Sequence, residues 1–192
     1  RWCSISCASE AGARAPRLPS SGLIDARIRR LFPFALTEDQ EQAIREITAD
    51  MDRDWPMNRL LHGEVGSGKT AVAVYAVLVA IAHGCQAAIM APTEVLAQQH
   101  WQTLGRMLAG SQVRLAMLSG GVGAAQRRDA LAKIAAGEID LVVGTHAVVQ
   151  ADVQFAKLGL VVIDEQHKFG VRQRASLRGD NEYQGGLTGA VE

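Results

Sequence analysis

The feature that most constrains this chain is residues 63–70, where Gly63 and the triplet Gly68-Lys69-Thr70 follow the spacing GxxxxGKT. A short apolar run precedes the segment and a long apolar run follows it, which predicts a strand, a loop and a helix. Glycines let backbone N–H groups turn toward a ligand, and a helix start adds further donors and the positive end of its dipole. The segment therefore predicts a phosphate-binding loop, in which Lys69 would reach the β- and γ-phosphates and Thr70 would bind Mg²⁺.

A second feature is the acidic pair Asp164-Glu165, which directly follows the apolar run at 160–163. A buried strand that ends here would deliver both carboxylates at its C-terminal end. Asp164 would hold Mg²⁺ through its water shell, and Glu165 would orient and deprotonate an attacking water. On its own the pair is equally typical of an acidic strand end. Together with the glycine-rich loop it predicts hydrolysis of a nucleoside triphosphate.

Composition narrows the remaining possibilities. The 192 residues include 20 basic and 20 acidic side chains, so a strongly basic surface is excluded and any nucleic-acid contact must be local. Cys3, Cys7 and Cys85 have neither CxxC nor metal-site spacing, which disfavours a disulfide framework or a zinc site and favours a reducing cytosol. Apolar runs are too short to span a bilayer, so we expect a cytoplasmic protein without membrane contact.

The order of apolar runs between residues 59 and 163 predicts an α/β fold, a parallel sheet with helices on both faces. Strands are expected at 59–62, 86–90, 113–118, 140–143 and 159–163. Helices are expected at 37–51, 69–83, 94–109, 123–136 and 170–178. Residues 1–22 are rich in Ser, Ala, Arg, Pro and Gly, and we expect a linker or the frayed end of a missing N-terminal domain. Residues 179–192 are expected to be a truncated or unstructured tail.

Gln40 lies three residues after Thr37, and two interpretations of this spacing are open. In the first, the Gln40 side chain reaches back to the Thr37 N–H and completes a capping box at the start of a helix. In the second, its amide pairs with one donor and one acceptor of adenine, since it carries both functions. The chemistry of the side chain alone does not decide between them.

Five segments of the chain together resemble the first motor domain of the bacterial RecG-type ATP-dependent DNA helicases, which are superfamily 2 translocases. They are LFPFALTEDQEQAI, GEVGSGKT, APTEVLAQQH, LVVGTHAVVQADVQF and LVVIDEQHKFGVRQR. The resemblance implies a RecA-like P-loop NTPase domain at 23–178, with ATP and Mg²⁺ as its ligands. It also implies ATP hydrolysis coupled to movement on branched DNA, at replication forks and recombination intermediates. A transcription-repair coupling factor is the nearest alternative, but its acidic motif usually lacks the Gln166-His167 that follows the two acids here.

The resemblance assigns roles to the matching positions of this chain. Gln40 would read adenine, while Gln166 and His167 would link the nucleotide state to the rest of the motor. The residues that would hold the triphosphate and Mg²⁺ are Gly63, Gly66, Ser67, Gly68, Lys69, Thr70 and Asp164. The residues that would line the nucleic-acid track are Pro92, Thr93, Glu94, Ser119, Gly120, Gly144, Thr145 and His146. Taken singly, each of these track loops is more simply an ordinary connection between a strand and a helix.

The resemblance also implies parts that the sequence does not match. These are a Thr-Ala-Thr-Pro type motif, a second motor domain that supplies an arginine, and an N-terminal wedge domain that grips branched DNA. The implied strand would lie between the phosphate-loop strand and the Asp164 strand, so we expect a sheet that is incomplete at the C-terminus and has a central gap. We therefore expect the isolated chain to be inactive as a helicase. Two other classes stay open: another P-loop enzyme, such as a small-molecule kinase, and a nucleotide-binding module without turnover.

Overall fold

The computed structural model describes residues 2–7, 15–64 and 66–164. The strands in these ranges are β1 (Trp2–Cys7), β2 (Asn58–His62), β3 (Gln86–Met90), β4 (Leu115–Leu118), β5 (Leu141–Gly144) and β6 (Leu158–Asp164). The helices are α1 (Gly22–Arg29), α2 (Glu38–Met51), α3 (Lys69–Ala82), α4 (Glu94–Met107), α5 (Ala124–Ala135) and a short 3-10 helix (His146–Val149). The strands form one sheet in the order β2-β1-β6-β3-β5-β4.

The α/β fold is confirmed, and all five expected strands form within about two residues of their predicted bounds. The expected helices from 37 to 136 form as α2 to α5, whereas the helix expected at 170–178 lies outside the described residues. Helix α3 is buried on all sides from Ala71 to Ala80, which fits its nearly continuous apolar sequence. Helix α2 is amphipathic instead and buries only Ile44, Ile47 and Met51.

The sheet is mixed and not fully parallel, which corrects the predicted topology. Strand β1 pairs antiparallel with β2 on one side and with β6 on the other. Strands β6, β3, β5 and β4 pair parallel with their neighbours. Because β2 and β6 both oppose β1, these two strands run in the same direction as each other. Among the strands of the described residues, only β1 runs against the direction of the others.

The N-terminal residues differ most from expectation, because Trp2–Cys7 form a strand where a linker or frayed end was expected. Cys3 and Cys7 are buried, and Ile5 is fully buried against the core. The intervening serines are accommodated by β2, since the Ser6 hydroxyl donates to Asn58 Oδ1 at 3.2 Å. A cysteine without a disulfide behaves as a small apolar residue. The two cysteines and Ile5 therefore give β1 an apolar face, although the segment contains few strongly hydrophobic residues.

Strand β1 lies where the sequence predicted a central gap, between β2 and the Asp164 strand β6. Its register places Ile5 beside Val162 on one side and Arg59 on the other. The backbone groups on the facing edges of β2 and β6 are therefore hydrogen-bonded to β1, which avoids the cost of unpaired buried groups. The predicted gap is absent from the described structure.

The core has one layer on each face of the sheet. The larger layer contains α3 together with Ile44 of α2 and Leu104 of α4. The smaller layer packs Ile134 of α5 and Val148 of the 3-10 helix against the opposite face. Helices therefore cover both faces, as predicted. Among the described residues, no helix combines the length and the apolar character that a membrane crossing needs, and no group of three or more potential metal ligands was found.

Candidate nucleotide-binding site

The phosphate loop, residues 63–70, connects β2 to α3. It lies at the side of the sheet where the C-terminal ends of β3, β5 and β6 are also found. Gly66 and Gly68 have φ angles of 86° and 72°, a left-handed conformation that residues with a side chain rarely adopt. Helix α3 begins at Lys69, and its N-cap, Gly68, has no side chain with which to cap the first turn. The glycines thus shape a loop that presents the start of α3 to an anion.

The Lys69 ammonium lies inside the curve of the phosphate loop. It donates to the carbonyl oxygens of Gly63 at 2.7 Å and Glu64 at 2.6 Å, and to the Ser67 hydroxyl at 3.1 Å. A Cβ at position 63 would lie 2.6 Å from Ser67 Oγ, so Gly63 leaves room for the Ser67 hydroxyl where it contacts Lys69. The loop therefore fixes one cation at its own centre.

The phosphate loop borders a cavity of about 260 Å³ that reaches the end of β6. Gly66, Gly68, Lys69 and Thr70 line one side of it, and Asp164 lines another. The structure thus brings together the cation, the hydroxyl and the first carboxylate that the sequence singled out. A cation, a helix N-terminus, a hydroxyl and a carboxylate are the donor set that a triphosphate with Mg²⁺ requires, so these residues fit both groups.

Asp164 is the last residue of β6, and its carboxylate is partly exposed. Its Oδ2 lies 2.9 Å from Nε2 of His100, a residue of α4 to which the sequence analysis assigned no role. Glu165, Gln166 and His167 lie outside the described residues, so their predicted roles remain predictions.

Cys3 is a further cavity residue that the sequence did not indicate, and it faces Asp164 across the β1–β6 ladder. Burial, reinforced by the negative charge of Asp164, raises the pKa of the Cys3 thiol to about 12. The thiol therefore stays protonated at neutral pH and contributes apolar surface to the cavity, without nucleophilic character.

Gln40 occupies a position between α2 and the phosphate loop. Its Oε1 accepts from the Thr37 N–H at 3.0 Å, and the Thr37 hydroxyl accepts from the Gln40 N–H at 3.4 Å, so the capping box is present. Its Nε2 donates to the Ser67 carbonyl at 3.1 Å, a contact that the sequence did not predict. A Cβ at Gly68 would lie 2.1 Å from this nitrogen, so the glycine also makes room for Gln40.

A second cavity lies at the same edge of the sheet, beyond the ends of β3, β4 and β5. It collects seven of the eight residues expected on the nucleic-acid track, namely Pro92, Thr93, Glu94, Ser119, Gly120, Thr145 and His146. The remaining one, Gly144, ends β5, and a Cβ there would lie 1.9 Å from the Leu118 carbonyl oxygen. Packing between β4 and β5 thus requires glycine at 144, whatever the role of the cavity.

Arg127 also lines the second cavity and was not identified from the sequence. Its guanidinium donates to Asp152 at 3.0 Å and to Gln150 at 2.8 Å, which holds it beside the 3-10 helix. Little in the sequence indicated that Arg127 would line this cavity. The residue lies within a helix that matches no motif, and the side chains it contacts are more than 20 residues away along the chain.

Comparison with known proteins places the chain among helicases. The family model described as DEAD/DEAH box helicase matches residues 37–180. The chain is 53% identical over 152 residues to the ATP-dependent DNA helicase RecG of Streptococcus pneumoniae, covering 78% of this chain and 22% of that protein. It is 51% identical over 152 residues to RecG of Bacillus subtilis, covering 79% and 22%.

A solved structure of RecG bound to a three-way DNA junction resembles the fold with a TM-score of 0.68 at 38% identity. The match covers 73% of this chain and 20% of that one. The chain spans about a fifth of the length of the curated relatives it matches.

Proposed function

This chain belongs to the DEAD/DEAH box helicase family, and from that premise we propose that it forms the ATP-binding motor part of a RecG-type DNA helicase. In such an enzyme, ATP hydrolysis would drive movement on branched DNA. Family membership implies ATP as the nucleotide. One observation carries the proposal: Lys69, Thr70 and Asp164 line a single cavity at the strand ends. We assign residues 23–178 to this motor domain, with β1 added to its sheet.

The nucleotide would bind with its phosphates against the start of α3. Lys69 would exchange its contacts with the loop carbonyls for the terminal phosphates, and the N–H groups of Gly66, Ser67 and Gly68 would face the same oxygens. Thr70 and Asp164 would hold Mg²⁺, which when bound would neutralise negative charge on the β- and γ-phosphates. Gly63 would keep the loop closed around the lysine, as its packing against Ser67 indicates.

The acid next to Asp164 would handle the attacking water. Glu165 follows Asp164 directly along the chain and lies outside the described residues, so its role is proposed from the sequence alone. Its carboxylate would orient the water and accept its proton. Gln166 and His167 would report the state of the nucleotide to neighbouring parts of the motor.

The second cavity is our proposed contact with DNA. Its polar atoms come from the three loops that follow β3, β4 and β5, and loops of this kind bind phosphates without reading bases. Arg127 also lines this surface, where its guanidinium is paired with Asp152 and would have to share its charge with a phosphate. The relative solved with a three-way junction makes branched DNA the best candidate ligand. A second motor domain and an N-terminal wedge domain are the protein parts with which this domain would cooperate.

The proposal is tested by measuring nucleotide and DNA binding to the purified 192-residue chain. We expect a fluorescent ATP analogue to bind with Mg²⁺ and a labelled three-way junction to bind at low salt. His146→Ala, in the second cavity, should weaken junction binding and leave ATP affinity unchanged. His83→Ala, which removes a ring that contacts the Pro19 carbonyl and lines neither cavity, is the matched control and should change neither affinity. A chain that binds the nucleotide but no junction at low salt would contradict the DNA assignment alone.

Gln40 should select adenine in addition to capping α2. We expect Gln40→Ala to lower the affinity for ATP relative to GTP by roughly tenfold, since a paired donor and acceptor on a base discriminate by about 1–3 kcal/mol. Competition titrations with both nucleotides give the ratio. Because Gln40 also contacts Ser67, a fall in both affinities is expected, so only the ratio is decisive. Gln42→Ala, an exposed glutamine of the same helix, is the control. An unchanged ratio would leave Gln40 as a cap and loop support.

A further inference from the structure

The carboxylate at the end of β6 is held by a side chain from a different layer of the fold. His100 lies in the second turn of α4, and its Nε2 is 2.9 Å from Asp164 Oδ2. Both side chains are largely shielded, with exposed fractions of 14% and 25%. An ionised carboxylate can only accept hydrogen bonds, so the imidazole donates from Nε2.

The contact lies inside the nucleotide cavity. His100 and Leu96, one helical turn apart on α4, both line that cavity together with Asp164. One oxygen of the carboxylate that would hold Mg²⁺ under the proposed function is therefore hydrogen-bonded to an imidazole. A hydrogen bond of this kind fixes the orientation of a ligating carboxylate, and its loss typically weakens metal affinity by about 10- to 100-fold.

We propose that His100 is a positioning residue that orients Asp164 for Mg²⁺, an inference that rests on the proposed function. In this role His100 would act through Asp164 and would not itself bind Mg²⁺ or take part in the reaction. Its helix starts at Glu94 in the second cavity, six residues or about 9 Å along the helix axis from His100. Helix α4 therefore connects the proposed DNA surface, where it begins, with the side chain that orients the Asp164 carboxylate.

A purely structural contact would give a different result. If the histidine only stabilised the packing of α4 on the sheet, its removal would lower the unfolding temperature and weaken nucleotide binding with or without metal. A positioning role predicts a loss confined to the metal-dependent part of binding.

The experiment compares the affinity of the chain for AMPPNP with Mn²⁺ and with EDTA, and records the EPR spectrum of bound Mn²⁺. His100→Ala should reduce the Mn²⁺-dependent gain in affinity by roughly 10- to 100-fold and change the bound spectrum, with the EDTA affinity unaltered. His100→Gln, whose amide nitrogen reaches a position close to that of Nε2, should recover most of the gain. His83→Ala removes a histidine that contacts the Pro19 carbonyl away from the cavity, and it should have no effect.

Asp164→Asn separates this inference from the proposed function. It should abolish most of the Mn²⁺-dependent gain, and adding His100→Ala to it should cause little further loss. If Asp164→Asn lowers the gain but His100→Ala does not, the positioning role is refuted and the nucleotide site stands. If Asp164→Asn leaves the gain intact, the proposed Mg²⁺ site itself is wrong. Should His100→Ala fail to fold, His100→Asn, too short to reach Oδ2, replaces it, and equal gains for the Asn and Gln variants overturn the inference.

Discussion

Replacing Ile5 with alanine should lower the free energy of unfolding by about 2–5 kcal/mol, the usual cost of truncating a fully buried aliphatic side chain. Ile5 is completely buried in the middle of β1, beside Val162 of β6. Loss of its side chain would leave a cavity between the face of the sheet and the larger core layer, and β1 cannot move to fill it because it is hydrogen-bonded to a strand on each side. Urea unfolding followed by circular dichroism measures the change.

Leu60→Ala on β2 is the matched control for this prediction. Leu60 lies beside Ser4 of β1 in the same part of the sheet, but half of it is exposed, so the change should stay within about 0.5 kcal/mol. Equal effects of the two substitutions would mean that β1 does not occupy the centre of the sheet.

Thiol reactivity gives independent evidence on the same strand. Burial raises the pKa of all three cysteines, Cys3, Cys7 and Cys85, so little thiolate forms at pH 8 and each sulfur is shielded. If residues 2–7 form β1, all three should react slowly with a maleimide until the chain unfolds. If those residues were a loose linker, Cys3 and Cys7 would react rapidly and only Cys85 would be protected.

Strand β1 could not be predicted from the sequence, for two physical reasons. Its residues Cys3, Ile5 and Cys7 alternate with serines, a weak pattern that the surrounding Pro, Gly and Arg residues conceal. Its position depends on strand partners at least 52 residues away along the chain, such as Asn58 opposite Ser6. The sequence also does not indicate the direction of a strand in the sheet, because the alternation of apolar and polar residues is the same for parallel and antiparallel pairing. The antiparallel pairing therefore became evident only in the structure.

Helix α1 was also missed, but here the local signals were available. Ser21 caps the helix by accepting from the Ile24 N–H, and Asp25 pairs with Arg29 one turn later. These signals were overlooked because the composition of residues 1–22 suggested a linker. By contrast, α3 and β3 were predicted within one residue, because a long apolar helix and a short buried strand carry their own periodicity.

The residues of the candidate site also differ in how far they can be recognised from the sequence. Some belong to a local motif, and others matter only through contacts with distant parts of the chain. The phosphate loop is one continuous segment with a characteristic spacing, so Gly68, Lys69 and Thr70 can be proposed as site residues from the sequence alone. His100 contacts Asp164 across 64 residues of sequence. It ends the segment APTEVLAQQH, but that segment indicates a family and not the group that the histidine contacts. Positioning residues are defined by the group they orient, and that group is visible only once the strands and helices have been placed.

Replacing Lys69 with alanine should weaken ATP binding by roughly 10- to 100-fold, because a hydrogen bond to a charged group contributes about 1.5–3 kcal/mol. The loss should decrease in the order ATP, ADP and adenosine, since the ammonium would contact the terminal phosphates and adenosine has none. Isothermal titration calorimetry with the three ligands measures this order. Lys133→Ala, which removes a lysine paired with Asp129 on the surface of α5, should leave all three affinities unchanged.

The order of the losses matters more than their size, because Lys69 has a second role. Its three hydrogen bonds to Gly63, Glu64 and Ser67 support the shape of the phosphate loop. If alanine acted only by loosening that loop, Gln40 would lose its contact with Ser67 as well, and adenosine binding would fall as much as ATP binding. Equal losses for the three ligands would therefore contradict the phosphate contact and leave Lys69 as a structural brace. A loss that grows with each added phosphate requires the ammonium to bind the phosphates themselves.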